Sequence, residues 1–237
     1  MAMTISVIIP TLNEEQTVMA TLAQTATLGF EELIVVDGGS SDRTPLLVES
    51  YRLSTQSSTL SPVRMMTAPR GRASQMNEGA KASRGDVLLF LHADTQLPQD
   101  AKAAIEAALS DQRIVGGRFD IRFDRPSIWG SIISRTMNWR SRLSGIATGD
   151  QALFVRRPIF ERMSGFADLP LMEDIDFSRR LKRMGRTAAL ASTVTTSFRR
   201  WEQQGPLQTI LLMWGLRLLY WMGVNTHTLH RWYRLVR

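Results

Sequence analysis

The sequence predicts an α/β fold: a mainly parallel sheet flanked by helices, then a small antiparallel part, then an apolar and basic C-terminal segment. Three observations carry this. Short apolar runs at residues 5–9, 33–36 and 87–91 lack the alternation of half-exposed strands, so they read as strands covered on both faces. Stretches of helical spacing separate them, giving strand–helix–strand units. Each run ends in polar residues, where open α/β sheets hold their ligands.

In chain order, the run 5–9 is stopped by Pro10. Asn13 with Gln16 three residues on has the capping-box pattern, and Val18, Leu22 and Ala26 recur at helical spacing up to Gly29. The second strand runs into DGGSSDRT, residues 37–44, and Pro45 suits the first turn of the next helix. A Ser/Thr-rich connection at 54–61 leads to an edge-like strand at 63–66 and a helix over about 71–83. Gly85 precedes the strand 87–91, and an Ala-rich helix is predicted over 99–109. Beyond Val115 the rhythm changes. GGRFDIRF alternates apolar and polar residues, which suits an antiparallel strand. A tryptophan- and arginine-bearing segment at 127–143 and a short strand at 153–155 follow. The last helix before the tail covers 174–184, with Phe177, Leu181 and Met184 on one face and Gly185 at its end. Residues 1–205 therefore read as one domain whose halves meet near 114, with 206–237 as an appendage.

The 237 residues are 43% hydrophobic, enough for a large core. The absence of cysteine excludes disulfides and thiolate catalysis and fits a reducing compartment. MAMTISVIIP has no basic n-region, so a cleaved signal peptide is not expected. Charge is uneven: residues 177–237 hold eleven Lys/Arg against one acid, Glu202, while the whole chain is +7. The basic excess belongs to the C-terminal quarter.

Each motif has a functional and a plain structural reading. Asp94, beyond the strand 87–91, either faces a ligand or caps its own turn. Asp37, Gly38 and Gly39 permit close approach of a nucleotide or make an ordinary tight turn. The G-x-G-x-x-G spacing and the Gly-Lys-Ser/Thr phosphate loop are both missing. A phosphate ligand then needs another counterion, such as Mg²⁺ or Mn²⁺ on Asp94 helped by Arg70 or Arg72. His92 either joins the metal or hydrogen-bonds beside it. Glu173 and Asp174 open a helix, where acids also favour the dipole. With Asp176 they form a carboxylate crowd, which demands a cation or a raised pKa, and a raised pKa suits a general base.

SVIIPTLNE, VVDGGSSDRT, RGRASQMNEGAKASRGDVLLFLHADT and GDQALFVRR…GF…LMEDIDFSRRLKRMG together resemble a family 2 glycosyltransferase, over about residues 4–201. The FLHADT stretch and the terminal hydrophobic segment further resemble a compact subset of that family. The resemblance implies a GT-A fold and inverting transfer from a UDP- or GDP-type nucleotide sugar. It places the nucleotide against Pro10, Thr11, Asn13, Glu14, Asp37 and Gly39, with Arg70, Arg72 and Asp94 at the diphosphate. The metal-binding D-x-D motif falls on His92-Ala93-Asp94, its first acid replaced. The base falls within Glu173-Asp174. Gly149, Asp150, Arg200 and Trp201 belong to the acceptor or product side, Arg199-Arg200-Trp201 echoing a motif of processive members without its usual Gln. A sugar nucleotidyltransferase is the rival enzyme, though TLNEEQT lacks its glycine-rich loop. A non-catalytic nucleotide-sugar or nucleic-acid binding module is the other alternative.

The tail points away from nucleic acid. Residues 207–224 carry one charge, Arg217, and border on the length of a membrane span. Trp214, Tyr220, Trp221, Trp232 and Tyr233 favour the headgroup region, and Arg231, Arg234 and Arg237 add attraction to anionic lipid. The expectation is a peripheral protein on the cytoplasmic face of the membrane, offered a lipid-linked acceptor. The plain alternative is a helix packed on the domain or on a second subunit.

Overall fold

A computed structural model describes residues 3–56 and 58–235. Strands β1 (Ile5–Thr11), β2 (Glu32–Asp37), β3 (Val63–Thr67) and β4 (Val87–Phe90) pair in parallel. Between them run helices α1 (Val18–Ala26), α2 (Thr44–Thr55) and α3 (Arg72–Ala82). Short strand β5 (Thr95–Gln96) and helix α4 (Ala101–Leu109) follow. The second half comprises β6 (Ile114–Phe123), α5 (Ile128–Ser144), β7 (Leu153–Arg156), α6 (Arg157–Arg162), α7 (Glu173–Met184) and β8 (Arg186–Thr196). Helices α8 (Arg199–Gln204), α9 (Pro206–Trp221) and α10 (Thr226–Leu235) end the chain. The eight strands form one sheet in the order β3-β2-β1-β4-β7-β6-β8-β5.

The continuous apolar runs have the cause expected of them. Ile5, Val7 and Ile9 of β1, with Val87 and Leu89 of β4, face one core with α1 and α4. Ile8, Leu88 and Phe90 face the other, with α3 and α7. Helix α3 lies hard against the sheet because Gly79 has no side chain. A Cβ there would stand 2.5 Å from Ile8 Cγ2.

Two local expectations are corrected. Asn13 and Gln16 make no capping box: α1 starts at Val18, and Asn13 turns into the left-handed region with φ 56°. Its Oδ1 accepts from the Ser41 amide instead (2.8 Å). The alternating strand β6 is antiparallel only to β7, over Gly116 and Gly117. Its long partner is β8, in parallel, from Ile114 to Phe123. Alternation reports that one face is less covered, and it does not report strand direction.

Candidate active site

The parallel strands β1, β2 and β4 deliver three loops to one edge of the sheet. The first two are stitched together: the Asn13 amide donates to Ser40 Oγ (2.8 Å), Glu14 N to Thr44 Oγ1 (2.8 Å) and Glu15 N to Asp42 Oδ2 (3.1 Å). Asp37 is buried and turned onto its own loop, where it accepts from the Gly39 and Ser40 amides at 2.9 Å and from Ser40 Oγ at 2.5 Å. Gln75 on α3 clamps the strand ends by donating to the carbonyls of Thr11 (2.7 Å) and Val36 (2.8 Å). Pro10 and Thr11 are buried strand residues, so both shape the floor of this edge.

The third loop brings His92 and Asp94 beside Glu14. Burial first, then the charge of Asp94, raises the Glu14 carboxyl above its ordinary value; Thr17, Arg199 and His92 oppose the rise. Arg199, at the start of α8, stands 3.6 Å from Glu14 Oε2 and donates to Gln16 Oε1 at 3.0 Å. The sequence flagged its neighbours Arg200 and Trp201, and Arg199 beside them reaches the strand ends. Trp201 packs 6.0 Å from the Phe123 ring, and the Arg200 side chain lies outside the described residues.

A small pocket joins this edge to α7. Arg72, Met76, Phe90, His92, Gly149, Leu153, Phe166, Glu173 and Asp174 line it. His92 Nδ1 lies 3.2 Å from Asp150 Oδ1. Gly149 sits directly on the imidazole, for a Cβ there would come within 2.4 Å of Nε2. The Gly149 amide donates to Asp174 Oδ2 (2.8 Å) and the Ile175 amide to Asp174 Oδ1 (2.8 Å). Glu173 is buried and receives Arg72 at 3.3 Å. Burial, then the neighbouring Glu173 charge, pushes Asp174 up to about 6, against the Gly149 amide, Arg72 and the Ile175 amide. A carboxyl held there is poised to take a proton near neutral pH. Behind the pair, Phe90, Phe160, Phe166 and Phe177 stack as one aromatic cluster, with Phe166 and Phe177 4.2 Å apart.

The expected carboxylate crowd is smaller than the sequence suggested. Asp176 turns to Arg180 (2.7 Å), one helical turn on, which leaves Glu173 and Asp174 as the pocket's acids. Arg70 is exposed and, among the described residues, forms no hydrogen bond or ion pair. Asn13, Ala152 and Met172 adopt positive φ (56°, 47° and 69°), and each adjoins a loop of the site. Such backbone is held only where the surroundings fix it. Glu14 and Asp94, two acids brought close, suit a divalent cation. Among the described residues no cluster of three or more such ligands occurs, so a cation held there would draw its remaining ligands from substrate and water.

The C-terminal helices border this site. Met172, the residue before Glu173, packs with Leu216 of α9 and with Leu229 and Tyr233 of α10. No helix among the described residues is long and apolar enough to cross a membrane.

Comparison with known proteins gives the family and the fold. Residues 6–163 match the Glycosyl transferase family 2 model. "Probable glycosyltransferase YdaM" of Bacillus subtilis (strain 168) is 27% identical over 84% of this chain and 50% of its own length. "Undecaprenyl-phosphate 4-deoxy-4-formamido-L-arabinose transferase" of Pseudomonas aeruginosa (strain LESB58) is 30% identical over 67% of this chain and 49% of its own. The chain thus spans about half the length of these curated relatives. The mannosyltransferase PcManGT from Pyrobaculum calidifontis, solved with GDP-Man and Mn²⁺, superposes with a TM-score of 0.65 at 19% identity, over 83% of this chain and 57% of its own. That likeness shows the GT-A fold.

Proposed function

The chain belongs to glycosyl transferase family 2, and from that premise we propose that it transfers a sugar from a UDP- or GDP-type nucleotide sugar to an acceptor hydroxyl with inversion. The observation that carries the chemistry is Asp174, a half-buried carboxyl raised to about 6 and aimed by the Gly149 amide. Asp174 removes the acceptor proton while the hydroxyl attacks the anomeric carbon and the nucleoside diphosphate leaves. Glu173 and Arg72 form the ion pair that fixes the start of α7, and Arg72 then faces the developing phosphate charge. The stitched loops at Asn13, Glu14 and Asp37–Gly39 seat the nucleotide, with Pro10 and Thr11 beneath. Asp94 would hold Mn²⁺ or Mg²⁺ with Glu14 or His92 nearby, and the metal would neutralise the diphosphate when bound. Gly149 and Asp150 close the acceptor side, with Arg199 to Trp201 at its margin.

Residues 1–205 make up the transferase unit in this reading, and 206–237 its membrane-facing segment. On α9, Leu207, Leu211, Trp214, Leu218 and Trp221 recur at spacings of four and three and are 56–79% exposed. That row, with exposed Trp232 and Arg231, supports a helix lying on the cytoplasmic leaflet. A lipid-linked acceptor suits such a surface, and the relative from Pseudomonas aeruginosa, by its name, acts on undecaprenyl phosphate. A panel of nucleotide sugars with Mn²⁺ or Mg²⁺, scored for nucleoside diphosphate release, tests the reading. Release from one donor that vanishes in Asp174→Asn supports it. Silence across the panel, with and without a phosphorylated lipid, counts against it.

A further inference from the structure

A second cavity lies behind the Gly149 loop, between the C-terminal end of α5, β6, β8 and α7. Its walls include Arg118, Ser141, Arg142, Gly145, Ser178 and Leu153, and Leu153 also lines the active-site pocket. The volume is about 60 Å³. On a measure where one water needs roughly 10–15 Å³, that admits about four water-sized groups, close to the size of a phosphate.

The walls carry charge that their surroundings do not satisfy. Arg118 is only 4% exposed, and its terminal nitrogen NH1 has no hydrogen-bond partner among the described residues. Asp120 stands 3.7 Å from that nitrogen, beyond hydrogen-bond reach, because it is drawn to Arg142 at 2.7 Å. Ser141 Oγ, fully buried, is also without a partner, as are Nε and NH2 of Arg140 on the same helix. Burial pushes Arg118 down to about 10, with Asp120 opposing and Arg142 and Arg140 adding to the fall. Arg118 and Arg142 thus share the Asp120 carboxylate, whose Oδ1 is also without a hydrogen-bond partner among the described residues, while Arg140 lies in the field of Asp174 and Asp150. A buried cation so poorly paired is costly unless a ligand completes it.

We propose that this cavity binds the phosphate group of an amphiphilic acceptor, separately from the donor diphosphate site. Arg118 and Ser141 hold the phosphate oxygens, Arg142 closes the rim, and the apolar chain lies along the outer face of α5. That face presents Ile128, Ile132, Trp139 and Leu143, each 50–81% exposed and on the helix that supplies Ser141 and Arg142. It continues toward the membrane-facing segment, since Gly130 of α5 packs on Phe123, whose ring meets Trp201 of α8. The cavity also adjoins the base. Ser178 Oγ accepts from the Ala147 amide (3.1 Å), and two residues on the Gly149 amide donates to Asp174. Arg140 feels the charges of Asp174 and Asp150. A buried guanidinium with an unmet N–H selects a phosphate over a neutral headgroup, because only the anion offsets its charge as well as its hydrogen bond.

The proposal rests on the transferase reading only in calling the ligand an acceptor; anion binding at Arg118 is measured without any sugar transfer. Calorimetric titration of the full chain with inorganic phosphate, decyl phosphate and decanol tests it. Decyl phosphate is expected to bind at least tenfold tighter than either of the others. Arg118→Met and Arg142→Gln should each weaken it at least tenfold, while Arg162→Ala, an exposed change on α6 away from the cavity and from the α5 face, leaves it unchanged. Circular dichroism checks folding, and Arg142→Gln carries the test should Arg118→Met unfold. Decyl phosphate affinity unchanged in the folded variants, or matched by decanol, overturns the site. Equal affinity for inorganic and decyl phosphate overturns the amphiphile and leaves a free-phosphate site. Arg118-dependent binding in a chain that turns over no nucleotide sugar would keep the cavity and remove the transferase reading instead.

Discussion

The two halves of the sheet treat their polar groups differently. In the first half, the loops at 11–15 and 37–44 answer one another: Asp37, Asn13, Ser40, Thr44 and Gln75 are all hydrogen-bonded to neighbouring backbone. In the second half, buried Arg118 and Ser141 and half-buried Arg140 carry unmet groups, and Asp174 is held at a raised pKa. A self-satisfied edge is a rigid seat that recognises a ligand without rearranging. Unmet charge marks where a ligand or a proton has work to do. On the proposed reading, then, the donor side is preorganised and the acceptor side is poised.

The sharpest break of that contrast is at the base. Asp174→Asn cannot accept a proton and gives up one of its two amide bonds. Turnover should fall about 10²–10⁴-fold, while nucleoside diphosphate affinity stays within about twofold. Near-normal turnover would move the proton to Glu173.

Next in size is the first half's packing. Gly79→Ala drives a methyl into Ile8 and Val36, and overpacking of this kind costs about 1–3 kcal/mol. Chemical denaturation reads it directly. A variant as stable as wild type would mean that α3 can lift off the sheet, and then the Gln75 clamp is looser than its distances suggest.

Asp94→Ala compares donor recognition with folding in one residue. Mn²⁺-dependent binding of nucleoside diphosphate should be lost, while the unfolding midpoint barely moves because the side chain is part-exposed. Equal calorimetric affinity with and without Asp94 would remove the residue from the metal.

These contrasts also explain how much was legible in the sequence. Strands 5–9, 33–36 and 87–91 were readable because both faces are buried, which leaves an unbroken apolar run. His92, Asp94 and Glu173-Asp174 could be placed because strand ends and helix starts are local features. The partners of those residues could not. Arg72 meets Glu173 across 101 positions, and Gly149 meets Asp174 only because β7 returns beside β4. The 127–143 segment showed its tryptophans and arginines but not that Arg140 and Ser141 turn inward while Trp139 and Leu143 turn out. Arg118 looked like an ordinary polar position of an alternating strand. Its burial follows from β8 pairing alongside it at Ala189, 71 positions later, another long-range fact.

Acidity offers a smaller, graded test on the poised side. The folded-state pKa of Asp174 is about 6 against an ordinary 3.8, so between about pH 4 and 6 the folded protein keeps a proton that the unfolded chain has lost. Its contribution to stability is then greatest at low pH and is lost as pH rises through that window. Turnover runs the opposite way, rising as the base ionises near pH 6. Thermal unfolding of wild type and Asp174→Asn at several pH values isolates the group: the difference between them should tilt toward the variant as pH rises. A constant difference would mean that Asp174 ionises at an ordinary pKa.

The smallest effect on the fold is expected at α9, where the comparison narrows to two faces of one helix. Leu216 packs inward with Met172 and Tyr233, beside the base, whereas Leu211 and Trp214 point outward at 73% and 62% exposure. Replacing both outward residues by serine removes little that is buried, so stability should change by no more than about 0.5 kcal/mol per site. Membrane affinity should respond strongly, because that row is the apolar surface available for insertion. Wild-type protein is expected to float with anionic vesicles and to be released in part by high salt, which screens the arginines. The double variant Leu211→Ser/Trp214→Ser should remain at the bottom of the gradient while releasing nucleoside diphosphate with a soluble acceptor at the wild-type rate. Flotation equal to wild type would show that this face is not what meets the lipid, and the exposed row on α5 would be the next surface to change.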